Sequence, residues 1–595
     1  MKKLALLLMA LMLLCTGISM AETVPADDGV MRSDLTAIEV SRLMGNGTNL
    51  GNTFEACDNT KGNFTTSTAT YETYWGQPVT TQEMLTAMKA AGFDTIRIPV
   101  AWMTNATNLG TTGDYTIAES YLDRVQEVVD YARNAGRYVI INDHWDGGWW
   151  GMFGSESAET RALAMEAYKG MWQQIAERFK GYSDYVIFES ANEELGSRFD
   201  ENSPIYCDDS VVTYLSDNDR YALTNEINQA FVDTVRATGS NNAERFLLIA
   251  GYSTNIDQTC DDRFQMPTDT VKDKLLVSVH YYDPWSYCGA STAAGATAWG
   301  TKSDYEYMDG QLEKMTKFTK QGYGVVIGEY GALPGGDGLK ANTIAYHERF
   351  LDLCDYYDLT SCLWDTSGMF VRRDLAFCDE ELAAVYADRN AAAEAGKDYA
   401  DIQAAAKAAL DAGMEAAPTT FLADAIEVTD DTAVAWLMWN DGAWALSYSV
   451  GDTYTPDSIS GGMKVTDVEI TGAGTYTVGI DFTGTTQGYS ASVAFAAIGI
   501  ANGEVLYPGY IIDIKEVLIN GEVYRLKGRA YTTSDNGVTT RTNLYNEWIT
   551  SIPVGQARMH YGNLAGATAT PINRNDAVIA QIESIYITFE YGPQK

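Results

Sequence analysis

Short apolar runs rich in β-branched residues alternate with longer segments of helical periodicity from about residue 45 to residue 381. The alternation occurs eight times, with predicted strands ending near residues 53, 100, 144, 193, 252, 282, 331 and 367. Helical patterns lie between them, for example at residues 81–91, 118–135, 160–179 and 223–238. Eight successive βα units close naturally into a barrel, so we predict an α/β fold, a (β/α)8 TIM barrel over residues 22–381. An open, doubly wound sheet is the alternative, and the lack of a glycine-rich phosphate loop after the first strand disfavours it.

The pattern changes twice after the predicted barrel. Residues 382–420 are rich in Ala, Glu, Asp and Lys, which is typical of an exposed helical spacer or of an insertion around the last barrel helix. Beyond Pro418 the chain is rich in Thr, Gly, Val and Tyr, with apolar and polar residues alternating at 464–470 and 475–482. This composition predicts a C-terminal all-β sandwich domain over residues 421–595.

The N-terminus has the order of a secretory signal. Lys2 and Lys3 precede an apolar run that reaches Leu14, and small residues follow up to Ala21. We therefore expect residues 1–21 to be a signal peptide cleaved after Ala21, and the protein to be secreted, either extracellular or periplasmic. No later apolar run is long enough to span a bilayer, so no membrane span is predicted.

The net charge excludes some partners. The whole chain carries −39, and loss of the two N-terminal lysines leaves 39 basic against 80 acidic side chains, or −41. Such a surface repels nucleic acid and anionic lipid, whereas a neutral polysaccharide does not feel this field strongly. Solubility alone also explains the acidity, so the charge names no substrate.

Seven cysteines remain after the predicted processing, and an odd number cannot all pair. Cys207 and Cys260 lie in polar stretches and could form a disulfide, while Cys354 and Cys362 lie in apolar stretches and are expected to be buried thiols. No Cys-x-x-Cys motif occurs, so structural zinc is not expected. We predict neither a metal nor a cofactor.

Rare polar and aromatic residues follow the predicted strands, which is where barrel enzymes place their chemistry. Two of the four histidines of the chain are among them. Each residue taken singly also has a structural explanation, such as a strand-end ion pair or core packing. The candidates are Arg97, His144, Asn192, Glu193, His280, Tyr282, Glu329 and Trp364.

Glu193 and Glu329 are the hardest of these to explain as structural, because each ends an apolar run and an unpaired buried charge is costly. Two carboxyl groups across a barrel mouth suit glycoside hydrolysis. One protonates the leaving oxygen, and the other either attacks the anomeric carbon or activates water. We expect burial and the nearby nucleophile to raise the pKa of the acid, and Arg97 to hold Glu329 ionised.

The motifs around these residues resemble those of glycoside hydrolase family 5, the cellulase family, over residues 45–370. The matching segments are GTNLGNTFEA, GFDTIRIPVAW, NDHWDGGW, FESANE, SVHYYDPW and VIGEYGA. All eight candidates match positions that define the active site of the family. The resemblance implies a retaining endo-β-1,4-glucanase that acts on cellulose, xyloglucan or mixed-linkage β-glucan, with Glu193 as acid/base and Glu329 as nucleophile.

The same resemblance implies roles for the other candidates. Asn192 would bond the sugar 2-hydroxyl, Arg97 and Tyr282 would orient Glu329, and His280 would lie beside the acid/base. His144 would bind the same sugar, with Trp364 stacked beneath it. Further aromatic residues in loops after strands could line flanking subsites or simply pack within those loops: Trp75, Trp145, Trp149, Trp150 and Trp285.

Several alternatives stay open at this point. Many relatives in the broad-specificity subgroup carry a second histidine at the position of Trp145, a departure that bears on the subsites and leaves the catalytic pair unchanged. A β-mannanase shares the eight core residues, and a non-catalytic glycan-capture protein is the rival from another class. We expect the partner to be β-glucan and the protein to be monomeric.

The C-terminal domain could bind glycan if it exposes aromatic rings. Trp436 and Trp439 differ in strand parity, so a regular strand would turn one of them away from the core, and Trp444 and Tyr448 share a face. Core packing explains these residues at least as well.

Overall fold

A computed structural model describes most of the chain, in two compact units. One unit comprises residues up to 281, 311–330 and 354–404, and the other comprises 282–310, 331–353 and 405–595. The predicted signal peptide, Cys207 and Trp444 lie outside the described residues. The described residues are 27–57, 68–106, 115–200, 215–289, 299–334, 339–340, 342–394, 398–418, 428–442, 446–449, 458–460, 463–485, 487–560 and 563–594.

Eight parallel strands form a closed barrel in the order of the sequence. The first strand pairs with both the second and the eighth, which closes the sheet and excludes the open alternative. The predicted (β/α)8 barrel is therefore confirmed. Its strands are β1 (Asn46–Asn49), β2 (Thr95–Ile98), β3 (Tyr138–Asn142), β4 (Val186–Glu189), β5 (Leu247–Asn255), β6 (Leu275–Tyr281), β7 (Gly324–Tyr330) and β8 (Thr360–Leu363).

Three of these strands end four residues earlier than their apolar runs predict. β1 ends at Asn49, not near Thr53, β4 ends at Glu189, not at Glu193, and β8 ends at Leu363, not near Ser367. Most of the residues that follow β1 and β4 are buried as well, so hydrophobicity does not show where the hydrogen-bond ladder stops. Asn192 and Glu193 consequently lie in the loop after β4, where the backbone can aim their side chains into the barrel mouth.

The predicted helices are present, and polar caps begin several of them. The side chains of Thr81, Ser157 and Ser216 each accept a backbone N–H of the first turn that follows. No helix among the described residues is both long enough and apolar enough to cross a membrane. The helices are α1 (Ala37–Leu43), α2 (Thr68–Thr73), α3 (Gln82–Ala90), α4 (Glu119–Asn134), α5 (Ala158–Phe179), α6 (Asp217–Ala237), α7 (Ile256–Thr259), α8 (Trp285–Cys288), α9 (Lys302–Lys314), α10 (Thr316–Thr319), α11 (Thr343–Tyr357), α12 (Glu380–Glu394), α13 (Tyr399–Ala416) and α14 (Gly503–Leu506).

The segment predicted as an exposed spacer begins with a helix that belongs to the barrel. Leu382 and Tyr386 of α12 are fully buried, and the Tyr386 hydroxyl lies 2.8 Å from that of Tyr330 in β7. The amide of Asn46 in β1 donates to the Tyr386 carbonyl. Apolar residues spaced along an Ala-rich helix thus pack α12 against the strands, and an exposed spacer does not describe this part of residues 382–420.

The C-terminal region is all-β, with its core between two antiparallel sheets. One sheet has the order β13-β12-β11-β17-β21-β20, with β15 also on β11, and the other has the order β14-β16-β22-β18-β19. A separate pair, β9 (Phe370–Val371) and β10 (Ala376–Phe377), follows β8. The sandwich strands are β11 (Val434–Asn440), β12 (Ser447–Ser449), β13 (Ser458–Ile459), β14 (Lys464–Thr466), β15 (Val468–Glu469), β16 (Gly474–Asp481), β17 (Phe495–Ala501), β18 (Tyr510–Ile519), β19 (Glu522–Val523), β20 (Thr532–Asp535), β21 (Thr539–Asn546) and β22 (Ser584–Pro593).

The described aromatic residues considered for glycan binding are buried. Trp436 and Trp439 are fully inaccessible, because every residue of β11 is buried, and Tyr448 in β12 is fully inaccessible as well. The Trp439 indole donates to Ser490, and the Tyr448 hydroxyl donates to Asp467. The expectation that strand parity exposes one of the two tryptophans is wrong, and these side chains are unavailable for stacking on glycan.

The cysteine predictions have separate outcomes. Cys354 and Cys362 are fully buried thiols, as predicted. The Cys207–Cys260 disulfide stays a prediction, because Cys207 lies outside the described residues.

Candidate active site

The two candidate carboxylates meet at the end of the barrel where the strands finish. Glu329 lies in β7 and Glu193 in the loop after β4. One carboxylate oxygen of each lies within 4.8 Å of the other, and a ring nitrogen of His280 lies within the same distance of both. The Nδ1 of His280 is 2.9 Å from Oε1 of Glu193 and 3.6 Å from Oε2 of Glu329. Closure of the barrel therefore brings the fourth, sixth and seventh strands to one site.

Arg97 connects this pair to the barrel interior. Its Nη1 donates to Oε1 of Glu329 at 2.9 Å and to Asn49 at 3.0 Å, and its Nη2 donates to Asn192 at 2.8 Å. Its Nε donates to Glu189 at 2.6 Å. Burial opposes the charge of this guanidinium, but the two carboxylates outweigh burial and hold its pKa above the usual range. Arg97 is thus a permanent cation that orients Glu329.

Glu189 and Asn49 are site residues that the sequence analysis missed. Glu189 is fully buried at the end of β4, and its second oxygen accepts a hydrogen bond from Ser278 at 2.7 Å. Asn49 ends β1 and also donates to the Gly328 carbonyl beside the nucleophile. The signal was present in FESANE, where a charged residue interrupts an apolar run four positions before Glu193.

His144 and Trp364 lie together beside the nucleophile. Their rings are stacked, with centroids 5.8 Å apart and planes 8° from parallel. The Nε2 of His144 is 4.0 Å from Oε1 of Glu329. Burial, followed by the charge of Arg97, lowers the pKa of His144 well below its usual range, so the imidazole is neutral and able to hydrogen-bond a hydroxyl.

The electrostatics of Glu193 differ from the sequence-based expectation. Its Oε2 accepts a hydrogen bond of 2.8 Å from Arg198, in addition to the contact of Oε1 with His280. Burial favours the protonated acid, but His280, Arg198 and Arg97 outweigh it and lower the pKa of Glu193 to about 2. The expectation of a raised pKa is wrong for this arrangement, because the contact with His280, followed by the charge of Arg198, outweighs burial.

The tryptophans proposed to line flanking subsites differ in how exposed their side chains are. Trp285 is 65% exposed and Trp75 is 38% exposed, whereas Trp145 is partly buried. Trp149 and Trp150 are buried, and they pack with Phe153 of the same loop and with Tyr168 of α5. The suggestion that Trp149 and Trp150 line subsites is therefore wrong, because packing against the loop and α5 covers both rings.

Tyr282 directly follows β6, two positions after His280. Its side chain is partly buried and makes an edge contact with the ring of Trp285, with centroids 6.1 Å apart.

Further buried carboxyl groups hold the loops that carry the site. Oε2 of Glu194 accepts from the backbone N–H of Asn192 at 2.9 Å, and Asp146 accepts from the N–H groups of Met103 and Thr104. Burial raises the pKa of Glu194 to about 8, against the lowering effect of Arg198 and local N–H groups. No sequence pattern marks these groups, because their role depends on loops that meet in space.

Among the residues that the structure describes, two groups of side chains are close enough to hold a metal ion: Glu193 with His280 and Glu329, and Asp513 with His560 and Glu590. In the first, the guanidinium groups of Arg97 and Arg198 already balance the carboxylates. In the second, Lys515 pairs with both acidic residues. The resident cations favour ion pairing over metal binding at both places.

Known proteins with similar sequences are polysaccharide hydrolases. Endoglucanase A of Paenibacillus barcinonensis is 36% identical over 394 residues, which cover 61% of this chain and 90% of that protein. A xyloglucan-specific endo-β-1,4-glucanase of Bacteroides ovatus is 36% identical over 319 residues, 51% of this chain and 59% of that protein.

Solved structures agree with this likeness. A broad-specificity endoglucanase from an uncultured bovine rumen ciliate is 33% identical, with a TM-score of 0.51 over 60% of this chain and 99% of that one. A lichenase from Caldicellulosiruptor sp. F32 is 32% identical, with a TM-score of 0.52 over 60% of this chain and 96% of that one.

The match extends across the barrel and its site. The family described as cellulase (glycosyl hydrolase family 5) matches residues 57–369, a span that includes Arg97, both catalytic candidates and Trp364. A non-catalytic glycan-capture protein is no longer a competing explanation. With a closed barrel, paired glutamates at its mouth and these relatives, the chain belongs to glycosyl hydrolase family 5 and is a glycoside hydrolase of the endoglucanase type.

Proposed function

We propose that this protein is a retaining endo-β-1,4-glucanase acting on cellulose, xyloglucan or mixed-linkage β-glucan. The observation that carries the proposal is the approach of a Glu193 oxygen to a Glu329 oxygen within 4.8 Å. Retaining enzymes hold their carboxyl groups about 5 to 5.5 Å apart, whereas inverting enzymes need about 6.5 to 9.5 Å to fit a water molecule. The short separation favours direct attack by one carboxylate.

The contacts favour one assignment of roles. Glu329 is the nucleophile, because Arg97 holds it ionised and in place. Glu193 is the acid/base, which protonates the leaving oxygen and then activates water. His280 adjoins the acid/base. The role of Tyr282 in orienting Glu329 stays a prediction.

The remaining candidates bind the sugar. Asn192, fixed by Arg97, bonds the 2-hydroxyl of the sugar at the reaction centre. The stacked pair of His144 and Trp364 binds the same sugar. Exposed Trp285 and Trp75, together with Trp145, supply apolar faces for neighbouring sugars.

The proposed substrate class rests on the relatives, which include a xyloglucan-specific enzyme, a lichenase and a broad-specificity endoglucanase. A neutral glucan also suits a chain with net charge −39. A reducing-sugar assay on carboxymethylcellulose, xyloglucan, barley glucan and mannan tests this. Release from the glucans supports the proposal, and release from mannan alone identifies a β-mannanase.

The mechanism is tested by following the anomers of the first products by NMR. Retention releases the β-anomer first, and initial release of the α-anomer contradicts the retaining assignment. Glu329→Ala should abolish turnover with an unchanged melting temperature. Glu306→Ala, on an exposed part of α9, is the matched control and should keep full activity.

We also propose that the protein is secreted after cleavage following Ala21, and that it is monomeric. The charge, apolar run and small residues of the N-terminus support secretion. Mass spectrometry of the protein from the culture medium should find Glu22 as the first residue. Size-exclusion chromatography with light scattering checks the oligomeric state.

A further inference from the structure

Arg198 lies next to the acid/base, in a loop whose backbone is held in place by its neighbours. The preceding Gly196 has φ +87°, and a Cβ there would lie 2.6 Å from the ring of Tyr252. Backbone and hydroxyl groups of Ser253 hydrogen-bond to Leu195 and to Ser197 on either side of this glycine. The following Phe199 is fully buried. The residues on either side of Arg198 therefore fix its backbone position, while its own side chain is 36% exposed.

Both oxygens of Glu193 have a nitrogen atom at hydrogen-bond distance in this arrangement. Arg198 donates to Oε2 at 2.8 Å, and His280 contacts Oε1 at 2.9 Å. A proton on Oε2 would occupy the lone pair that Arg198 does not use, beside a guanidinium whose positive charge disfavours protonation. Departure of Arg198 from Oε2 therefore favours the acid form that delivers a proton to a substrate.

The charges around Glu193 oppose one another. His280 from β6, Arg97 from β2 and Arg198 favour the carboxylate. Glu329 from β7 and the adjoining Glu194 favour the protonated acid, through like-charge repulsion when ionised. Of the two arginines, Arg97 is fully buried and hydrogen-bonded to four residues, whereas the Arg198 side chain is 36% exposed.

The two steps of a retaining reaction need the Glu193 carboxyl group in opposite protonation states. In the first, the bond from the anomeric carbon to the glycosidic oxygen breaks, a bond to Glu329 forms, and the proton of Glu193 passes to the leaving oxygen. In the second, water attacks the anomeric carbon, the bond to Glu329 breaks, and the water proton passes to Glu193. The first step consumes the acid form, and the second consumes the carboxylate.

We propose that Arg198 is a positioning residue that sets the balance between these steps: paired with Glu193 it favours the base needed for hydrolysis of the intermediate, and by moving away it allows the acid step. The inference rests on the proposed role of Glu193 as acid/base. It predicts opposite effects on the two steps when Arg198 is removed, which general damage to the site cannot produce.

The experiment compares Arg198→Met with the wild type on two substrates. Cello-oligosaccharides have a poor leaving group, so kcat/KM reports the acid step. The basic limb of that pH profile should move to higher pH by about one unit, since an adjacent opposite charge shifts a pKa by about 1 to 3 units and partial exposure reduces the effect. 2,4-Dinitrophenyl β-cellobioside needs no protonation to react, so its kcat reports hydrolysis of the intermediate and should fall several-fold.

Controls separate this inference from a folding defect. Arg198→Lys keeps the positive charge and should retain most of the wild-type pH profile. Arg263→Met removes an exposed arginine that pairs with Asp261, and both profiles should stay unchanged. Melting temperatures of all variants should agree with the wild type.

The outcomes distinguish the inference from the function on which it rests. Glu193→Ala should lose activity on cello-oligosaccharides, keep reaction with the dinitrophenyl substrate, and recover turnover of that substrate with added azide. If it does not, the acid/base assignment is wrong. If it does, but Arg198→Met leaves the basic limb in place or slows both steps alike, the role of Arg198 is overturned and the proposed function stands.

Discussion

Glu189 accepts a 2.6 Å hydrogen bond from the Nε of Arg97, the same guanidinium that donates to the nucleophile Glu329 through Nη1. One buried cation is thus shared by two carboxylates. Glu189 itself is fully inaccessible. The negative charge of Glu189 partly neutralises Arg97, whose positive charge would otherwise act on Glu329 alone.

Replacing Glu189 by Gln should therefore weaken the nucleophile. The full charge of Arg97 then stabilises the Glu329 carboxylate, so the acid limb of the kcat/KM profile should move to lower pH and kcat should fall about tenfold or more. Kinetics on a soluble glucan from pH 3 to pH 8 measure both effects. Glu189→Ala should lose stability in addition, because it leaves a cavity. An unchanged acid limb in Glu189→Gln would show that the shared charge does not matter.

Glu194 should make stability depend on pH. Burial raises its pKa from 4.5 to about 8, so the folded state binds this proton more tightly than the unfolded chain. The resulting stabilisation is fully present below about pH 4.5 and is lost as the pH rises to about 8. Glu194→Gln keeps a neutral acceptor for the Asn192 N–H. In thermal unfolding, the melting temperature of the variant should rise relative to that of the wild type between pH 5 and pH 8, and the difference should then level off. A difference in melting temperature that is the same at every pH contradicts this.

In the β-sandwich, Asp467 should also make the protein less stable as the pH rises. Burial raises its pKa from 3.8 to about 6, although the hydrogen bond from Tyr448 lowers it. Stability from the neutral form is therefore lost as the pH rises from about 4 to about 6. Asp467→Asn should unfold at a higher temperature than the wild type at pH 7, with little difference at pH 4. Asp481 is a matched contrast, since hydrogen bonds from Thr483 lower its pKa and Asp481→Asn should lower stability at pH 7.

Trp150 and Trp285 should respond differently to removal. Trp150 is buried among Phe153 and Tyr168, so Trp150→Ala should cost about 3 to 5 kcal/mol of stability. Trp285 is 65% exposed, so Trp285→Ala should leave the melting temperature unchanged and raise KM for polymeric glucan. Denaturant unfolding and steady-state kinetics separate the two. A stable Trp150→Ala variant with a raised KM would restore Trp150 as a subsite residue.

Much of the barrel and its chemistry could be predicted from local patterns. Eight apolar runs with helical segments between them specify repeated βα units, and parallel strands place their carboxyl ends on one face. That rule alone predicts that Glu193 and Glu329 lie on the same face of the barrel. The ends of β1 and β4 could not be predicted, because buried loop residues continue the apolar run beyond the ladder. The position of Arg198 could not be predicted either, since a loop anchored by Ser253 sets it.

The amino-acid sequence by itself determined the barrel, the all-β C-terminal region and the two glutamates that carry the chemistry, because periodicity and strand-end position are local properties of a chain. Only the tertiary structure decided that Arg97 serves both Glu189 and Glu329, that Arg198 pairs with Glu193, and that β11 is covered on both faces. Those relationships join residues far apart along the chain. Their energies depend on distances and burial that exist only once the strands have closed and the loops have packed.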